Sequence, residues 1–332
     1  MIRQRILPFY HPTSVYLVDD NQRFLDNFLL QLDESLAVVA INSPAQALEL
    51  IESQHLRPGL DQRCLSYIQS DAEQAMLRLD FALIEREISD ARRFADISVV
   101  IVDYDMPEMT GLEFCSRITD PRIKKVLLTG VADEKIAVHA FNEGLIDAFL
   151  MKSDPEVIDK VSNTINDLQT RYFSEVSSLI QRTLTLKAPE VLSDPDFVDI
   201  FSSLCRKHRI VEYFYVDEPA GFLLVTDDGC LMRLVIADTG KLQRSAFALK
   251  GLHAPDHVLK DVTTGKAIPW LWIEPDEYDE DPFDWSDVLF PASPINTERS
   301  WFMALIQNPP ADIEYDSGIS SYSAFLEEMD SR

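Results

Sequence analysis

Four apolar segments of this 332-residue chain each end in a polar side chain that could take part in phosphoryl chemistry. Asp19 and Asp20 end the first segment, Asp103 the second, Thr129 the third and Lys152 the fourth. Carboxylate oxygens, with a backbone carbonyl, suit a Mg²⁺ ion. A lysine ammonium and a threonine hydroxyl can bind the oxygens of a phosphoryl group. Asp103, which follows the strand predicted to be central, is the candidate nucleophile for attack on phosphorus.

The elements that must position these residues are predicted to be parallel strands. Four consecutive β-branched residues, Val99–Val102, indicate a strand buried on both faces of a sheet. Four other strands are predicted at 14–18, 37–41, 125–130 and 146–151, and predicted helices alternate with the five strands. This alternation predicts an α/β doubly wound, five-stranded parallel sheet of the flavodoxin-like type. Ligands of such sheets bind outside the carboxyl ends of the strands, where the polar residues fall.

The acidic pair, the motif Asp103-x-x-Met-Pro, Thr129 and Lys152 occur in the order that is typical of one family. Over about residues 14–152 the sequence resembles the receiver domain of two-component response regulators. The resemblance implies that Asp103 accepts a phosphoryl group, in a Mg²⁺-dependent reaction, from a sensor histidine kinase or another phosphodonor.

The resemblance also implies roles for the residues around Asp103. The metal ligands would be Asp19, Asp20, Asp103 and the main-chain carbonyl of Asp105. Thr129 and Lys152 would bind the phosphate and report its presence. Phe149 occupies the position of the switch aromatic, although packing within its strand explains a phenylalanine there equally well.

The sequence departs from the family in length and at one motif position. Asp20 and Asp103 are 83 positions apart, and a helical insertion at about 44–96 accounts for the excess. Helices are predicted there over 45–54 and 71–94. Ser153 follows Lys152, where the family typically has proline. The predicted receiver domain covers residues 1–153.

A long linking helix is predicted at 154–188. Its apolar residues keep the 3–4 spacing of a coiled coil and are Ile158, Val161, Ile165, Leu168 and Tyr172. We therefore expect a homodimer through this helix. The alternative is that the stripe packs on the C-terminal domain of its own chain.

Residues 189–332 are predicted to form an acidic α+β output domain with antiparallel strands. Two of these strands, 222–226 and 231–237, flank the turn Asp227-Asp228-Gly229. Further strands are predicted at 210–216, 269–273 and 301–306, and helices at 194–207, 255–261 and near Phe325. Eight of the fourteen residues from Glu274 to Asp287 are acidic. They predict a solvated loop, with cation binding or docking on a basic protein as alternatives.

The acidity of the chain, which has a net charge of −26, argues against an output domain that binds DNA or anionic membranes. Residues 190–332 contain 11 Lys and Arg against 27 Asp and Glu, so repulsion from DNA and from anionic membranes is expected. Four widely spaced cysteines indicate neither a disulfide framework nor a zinc site. With no predicted membrane span or signal peptide, we expect a cytoplasmic protein.

The sequence therefore predicts a response regulator that signals through a non-DNA-binding output domain to a downstream protein partner. No classical enzyme is expected beyond phosphorylation and autodephosphorylation of the receiver. Two alternatives remain open: an enzymatic output of phosphodiesterase, nuclease or phosphatase type, for which Asp227, Asp228 and Glu274 are the candidates, or a cryptic nucleic-acid-binding output. The domain plan and the acidity also resemble response regulators of hydroxyketone quorum sensing.

Overall fold

The computed structural model describes residues 6–54, 63, 65–69, 75–79, 81–130, 134–177, 190–216, 219–270, 284–296, 301–307, 309 and 315–331. It divides into two compact units. We call them the α/β unit (Tyr10–Cys64, Arg86–Leu179 and Tyr322–Arg332) and the antiparallel unit (Met1–Phe9, Leu65–Glu85 and Ile180–Ser321).

The strands, in chain order, are β1 Phe9–Tyr10, β2 Ser14–Val18, β3 Val38–Ile41, β4 Leu65–Gln69, β5 Ala75–Leu79, β6 Ile97–Asp103, β7 Lys124–Thr129, β8 Ala148–Met151, β9 Ile210–Val216, β10 Gly221–Thr226, β11 Leu231–Asp238, β12 Ala267–Pro269, β13 Leu289–Pro291, β14 Ser293–Asn296 and β15 Trp301–Gln307. The helices are α1 Gln22–Leu29, α2 Pro44–Gln54, α3 Phe81–Ser89, α4 Gly111–Arg117, α5 Glu134–Asn142, α6 Val157–Val176, α7 Pro195–Lys207, α8 Thr239–Gly251, α9 Asp256–Thr263, α10 Ser317–Ser320 and α11 Tyr322–Asp330.

The α/β unit contains the predicted five-stranded parallel sheet. Its strand order is β3-β2-β6-β7-β8, with β6 at the centre. All seven residues of β6 are buried, as expected for a strand that is covered on both faces. Separate apolar clusters cover the two faces, one around Val100 and Val102 and the other around Val99 and Ile101. The fold class predicted from the sequence is confirmed.

The apolar stripe of α6 lies in the core of the α/β unit. Val161 and Ile165 are fully buried and Leu168 is 3% exposed, in the cluster that contains Val99 and Ile101. Ile158 packs against the same cluster, while Tyr172 contacts the Phe173 ring of its own helix. This packing corrects the predicted interface, because four of the five side chains that would line a dimer seam, Ile158, Val161, Ile165 and Leu168, already pack in the core beside the sheet. A homodimer through other surfaces stays a prediction, and an extension of the helix beyond Ser177 lies outside the described residues.

The insertion differs from the helical structure predicted for it. The helix predicted over 45–54 is confirmed by α2, where Gln46 N donates to the Ser43 hydroxyl at 3.3 Å. The helix predicted over 71–94 is wrong in its first part. There β5 pairs antiparallel with β4, from Leu65 opposite Leu79 to Gln69 opposite Ala75. The backbone hydrogen bonds of this hairpin override the helix propensity of Ala, Met and Leu.

The antiparallel unit is built on a six-stranded sheet of order β1-β9-β10-β11-β15-β14. Helix α7 covers one face, where Phe201 packs on Tyr213 and Phe222. Helices α8 and α9 cover the other face in a cluster that includes Val235 and Ala237. The sequence did not predict α8. The strand predicted at 269–273 instead ends at Pro269, in β12, and residues 271–273 lie outside the described part of the chain.

The residue ranges of the two units differ from the predicted domains, whose boundaries were placed at 153 and 188. The β4–β5 hairpin belongs to the antiparallel unit, and Tyr322–Arg332 belongs to the α/β unit. The second assignment follows from the contacts of Tyr322. Its hydroxyl donates to the Ser35 carbonyl at 2.6 Å and accepts from Ala37 N at 3.1 Å, and its ring packs on Phe94. Among the described residues, no helix has the length and apolarity needed to cross a membrane.

Candidate functional site

Three parallel strands bring two carboxylates and a lysine together at one edge of the sheet. Asp19 follows β2, Asp103 ends β6 and Lys152 follows β8. The Lys152 Nζ lies 2.8 Å from Asp103 Oδ1 and also donates a hydrogen bond to Asp19 Oδ2. The predicted convergence at the carboxyl ends of the strands is therefore present for these three residues.

The electrostatics of this site are dominated by buried negative charge. Asp19 and Asp103 are buried, and the Lys152 side chain is 19% exposed. Burial raises the pKa of the Asp103 carboxyl, while the hydrogen bond from Lys152 acts in the opposite direction. The Lys152 ammonium also lies 4.2 Å from the centroid of the Phe24 ring. This cation–π contact was missed from the sequence, where Phe24 fits the apolar face of α1.

Asp20 completes a cluster of three carboxylates. One oxygen from each of Asp19, Asp20 and Asp103 lies within 4.8 Å of the others. Asp19 Oδ1 also accepts a hydrogen bond from Asn21 N at 2.9 Å, which orients that carboxylate. The donors are all oxygens, and one ammonium stands against three acidic groups. This set fits a hard divalent cation such as Mg²⁺.

The loop after β6 is closed by contacts of its own residues. Asp105 forms an isolated β-bridge with Thr110. Thr110 caps α4, because its hydroxyl accepts from Glu113 N while the Glu113 carboxylate accepts from Thr110 N. The backbone of Asp105, the predicted source of a carbonyl ligand, is thus tied to the helix that begins beside Asp103.

Gly111 lets the start of α4 approach the carbonyl of Asp103. A Cβ at position 111 would lie 2.3 Å from Asp103 O and 2.8 Å from Leu127 Cδ1, distances that real Cβ atoms do not show. Gly111 N also donates to the Tyr104 carbonyl at 2.9 Å. Gly111 was not among the candidate site residues predicted from the sequence. Its spacing from Asp103, at the start of a helix, was the available signal for this close approach.

Thr129 lies on β7 and Phe149 on β8, the two strands that follow the Asp103 strand β6 in the order of the sheet. Thr129 ends β7 and is buried, one residue after Leu128, which is the register partner of Asp103. Phe149, on β8, is opposite Leu127 and packs partly buried against the core. Thr129 and Phe149 therefore share one face of neighbouring strands, two residues apart in register.

Two of the enzymatic candidates of the antiparallel unit, Asp227 and Asp228, lie in the turn between β10 and β11 and are held by contacts there. The Asp227 carboxylate pairs with Arg209, and the Asp228 carboxylate accepts hydrogen bonds from the Thr226 hydroxyl and Cys230 N. The bond from Thr226 lowers the pKa of Asp228. These residues line a surface cleft of about 250 Å³. Glu274 and the acidic residues up to position 283 lie outside the described part of the chain.

Comparison with known proteins agrees with this geometry. The receiver domain of response regulators matches residues 66–162, a span that contains Asp103, Thr129 and Lys152. The response regulator LqsR of Legionella pneumophila is 38% identical, over 98% of this chain and 96% of that chain, with a TM-score of 0.77. A search of curated proteins finds no match.

Two further solved structures are similar over about half of the chain. An adenylate cyclase from Rhodopirellula baltica is 23% identical over 54% of this chain and 99% of that chain, with a TM-score of 0.34. A response regulator receiver domain protein from Clostridium thermocellum is 20% identical over 48% of this chain and 95% of that chain, with a TM-score of 0.33. The relationship to LqsR, which extends over nearly the whole of both chains, identifies the family. This chain belongs to the response regulators of two-component signalling.

Proposed function

We propose that the α/β unit is phosphorylated on Asp103 by a sensor histidine kinase. The observation that carries this proposal is the contact of one ammonium, Lys152, with the carboxylates of Asp19 and Asp103 at the edge of the sheet. In the reaction an Asp103 oxygen attacks phosphorus, and a P–O bond forms. The bond from phosphorus to the histidine nitrogen breaks, and the imidazole leaves with its electron pair and takes up a proton.

Asp103 is favoured as the nucleophile over its acidic neighbours because of its position. It ends the central strand, and the ammonium of Lys152 lies 2.8 Å from one of its oxygens. Asp19 is oriented by both Asn21 N and Lys152, and Asp20 is exposed. These two carboxylates suit the role of metal ligands.

The residues that would hold Mg²⁺ are Asp19, Asp20, Asp103 and the main-chain carbonyl of Asp105. When bound, the ion supplies positive charge that neutralises the incoming phosphoryl oxygens. Lys152 would then give up part of its contact with the carboxylates and bind a phosphoryl oxygen. The Thr129 hydroxyl would donate to another.

The signal would pass from the phosphoryl group into the packing of β7, β8 and α5. Movement of Thr129 toward the phosphate would change the space next to Phe149, on the same face of the neighbouring strand. Such a contact shifts the population of two arrangements of this face. Phe149 would be the switch aromatic in this scheme.

The antiparallel unit would act as an output domain that signals to a protein rather than to DNA. The charge of residues 190–332 favours this class of partner, with 27 acidic residues against 11 basic ones. Asp227 and Asp228 are occupied in turn contacts, so no observation favours an enzymatic output. The domain plan and the acidity support a place in hydroxyketone quorum sensing.

Phosphate incorporation tests the proposal. The full chain is incubated with acetyl phosphate and Mg²⁺, and the modified fraction is measured by intact mass. We expect one phosphoryl group per chain, none in Asp103→Asn, and little in Lys152→Ala. Asp105→Asn is the matched control, because its proposed ligand is a backbone carbonyl that the substitution keeps. Equal incorporation in Asp103→Asn and the unmodified sequence would contradict the assignment.

A further inference from the structure

Helix α8 presents an exposed aromatic side chain between two cations. Phe247 is 81% exposed. Arg244 and Lys250, three residues before and after it, lie on the same side of the helix and are exposed. Neither forms an ion pair with any residue that the structure describes. We call Arg244, Phe247 and Lys250 the Phe247 patch.

The fold does not explain this arrangement. Helix α8 packs on the sheet through Leu242, Ala246 and Leu249, which are buried with Val235 and Ala237. Phe247 lies outside that apolar stripe, so a polar residue there would leave the core contacts unchanged. Single exposed apolar residues are common on protein surfaces, but the two flanking cations make this site chemically distinct.

The Phe247 patch is also a local exception to the charge of the protein. The chain has a net charge of −26, yet no Asp or Glu occurs between Thr239 and Pro255. Over this interval the charged side chains are Lys241, Arg244 and Lys250. At physiological ionic strength charges are screened over about 8 Å. A partner that touches the patch therefore meets these cations, and Asp238 close to Arg244, more strongly than the acidic residues farther away.

We propose that the Phe247 patch is the docking surface of the output domain for an acidic peptide segment that carries apolar side chains. This inference rests on the proposed function, in which the output partner is a protein, and it adds the chemistry of that partner. Phe247 supplies an aromatic anchor, and Arg244 and Lys250 pair with carboxylates on either side of it.

Charge decides between this partner and a nucleic acid, which could also use an aromatic residue and cations. A duplex presents one negative charge about every 1.7 Å over a long length, so most of it would lie beyond the patch, along a chain whose net charge is −26. A short peptide segment places its few carboxylates only on the patch. Charge complementarity therefore favours the peptide.

Fluorescence anisotropy on the full chain tests the proposal without any phosphodonor. The probe is a fluorescein-labelled peptide of Glu-Glu-Leu repeats, and its Gln-Gln-Leu counterpart is the negative control. We expect binding of the Glu peptide that weakens with added NaCl, and no binding of the Gln peptide. Phe247→Ser should raise Kd about tenfold, and the double variant Arg244→Glu/Lys250→Glu should abolish binding.

Two matched variants exclude general effects. Leu30→Ser removes an apolar side chain that is 84% exposed on the α/β unit, and Arg206→Glu/Lys207→Glu changes the net charge equally at exposed positions of α7. Both should bind the Glu peptide like the unmodified protein. Circular dichroism checks that each variant is folded. If Phe247→Ser is unfolded, the Arg244→Glu/Lys250→Glu variant alone tests the proposal.

The proposal is overturned if the Glu peptide does not bind, or if the patch variants bind it unchanged. It is also overturned if a single-stranded oligonucleotide or phosphatidylglycerol vesicles bind through the patch while the peptide does not. Because no phosphodonor is present, a failure to phosphorylate Asp103 leaves these outcomes unaffected. The two proposals can therefore fail separately.

Discussion

Substitution of Gly111 by alanine perturbs the candidate phosphorylation site without changing any of its polar groups. In most helices a glycine-to-alanine change stabilises the fold by about 0.5–1 kcal/mol, because alanine loses less backbone entropy on folding. Gly111 begins α4, with its N–H bonded to the Tyr104 carbonyl. The structure predicts the opposite sign here.

The magnitude follows from the space around Gly111. The added Cβ would lie 2.3 Å from Asp103 O, whereas ordinary contacts begin at 3.4 Å. The start of α4 must therefore move about 1 Å away from β6. Overpacking of this kind costs about 1–3 kcal/mol. A displacement of about 1 Å near a reacting group can lower a rate by about 100-fold, so the phosphorylation of Asp103 should slow markedly.

Two measurements check this prediction. Hydrogen exchange of peptides covering residues 97–118 reports local stability, and intact mass after incubation with acetyl phosphate reports the phosphorylation rate. Gly251→Ala is the matched control, because Gly251 ends α8 with nothing within 4 Å of its added Cβ. That variant should be as stable as the unmodified protein or more so. Faster phosphorylation or stronger exchange protection in Gly111→Ala would refute the steric reasoning.

Three further predictions concern stability. Asp103→Asn should raise the melting temperature at pH 7, because burial raises the pKa of this carboxyl above its ordinary 3.8 and so disfavours the ionised form. The gain in melting temperature grows as pH rises from the pKa of Asp103 in the unfolded chain to its raised pKa in the folded protein. Thermal melts at pH 3, below both values, should show no gain. His11 is fully buried between Phe94 and Phe173, and burial lowers its pKa from 6.5 to about 3 against the opposing charge of Asp96. The unfolded chain binds a proton on His11 below about pH 6.5, whereas the folded protein keeps His11 neutral down to about pH 3. The free energy of unfolding should therefore fall by about 2 kcal/mol from pH 7 to pH 5. Urea titrations should find this loss removed in His11→Phe. Ile165→Ala should cost about 2–5 kcal/mol in urea titrations, because Ile165 is a fully buried core residue; unchanged stability would contradict its place in the core.

The parallel sheet and the residues at its carboxyl edge could be predicted because each strand has a local sequence signal. A buried parallel strand needs an unbroken apolar run, and Val99–Val102 is such a run. Once the strands are located, the residues after them must share one edge, which brings Asp19, Asp103 and Lys152 together. The contact of Phe24 with Lys152 was not readable, because helical periodicity gives the face of a residue and not its neighbour across the fold.

Two elements, β5 and α8, were not predicted from the sequence. Strand β5 depends on pairing with another strand, and α8 has a weak contrast between its apolar and polar sides. Strand β5 contains Ala75, Met76 and Leu77, which favour helices, and only its pairing with β4 makes it a strand. Helix α8 was missed because Phe247 and Ala248 lie on its exposed side and weaken the contrast with the buried Leu242 and Leu249.

The predicted dimer seam of α6 shows a different limit of sequence patterns. A 3–4 spacing of apolar residues describes any helix with one buried side, whether it faces a second chain or its own sheet. Val161 and Ile165 face the sheet. Nothing in their spacing distinguishes the two cases.

Chemical mapping of the phosphorylated residue tests the central claim most directly. The full chain is treated with acetyl phosphate and Mg²⁺, reduced with borohydride and digested for peptide mass spectrometry. Borohydride converts an aspartyl phosphate to homoserine and leaves free carboxylates intact. We predict homoserine at position 103 and unchanged aspartate at positions 19, 20 and 105. Homoserine at one of those positions, with Asp103 intact, would contradict the assignment of Asp103 as the phosphoacceptor.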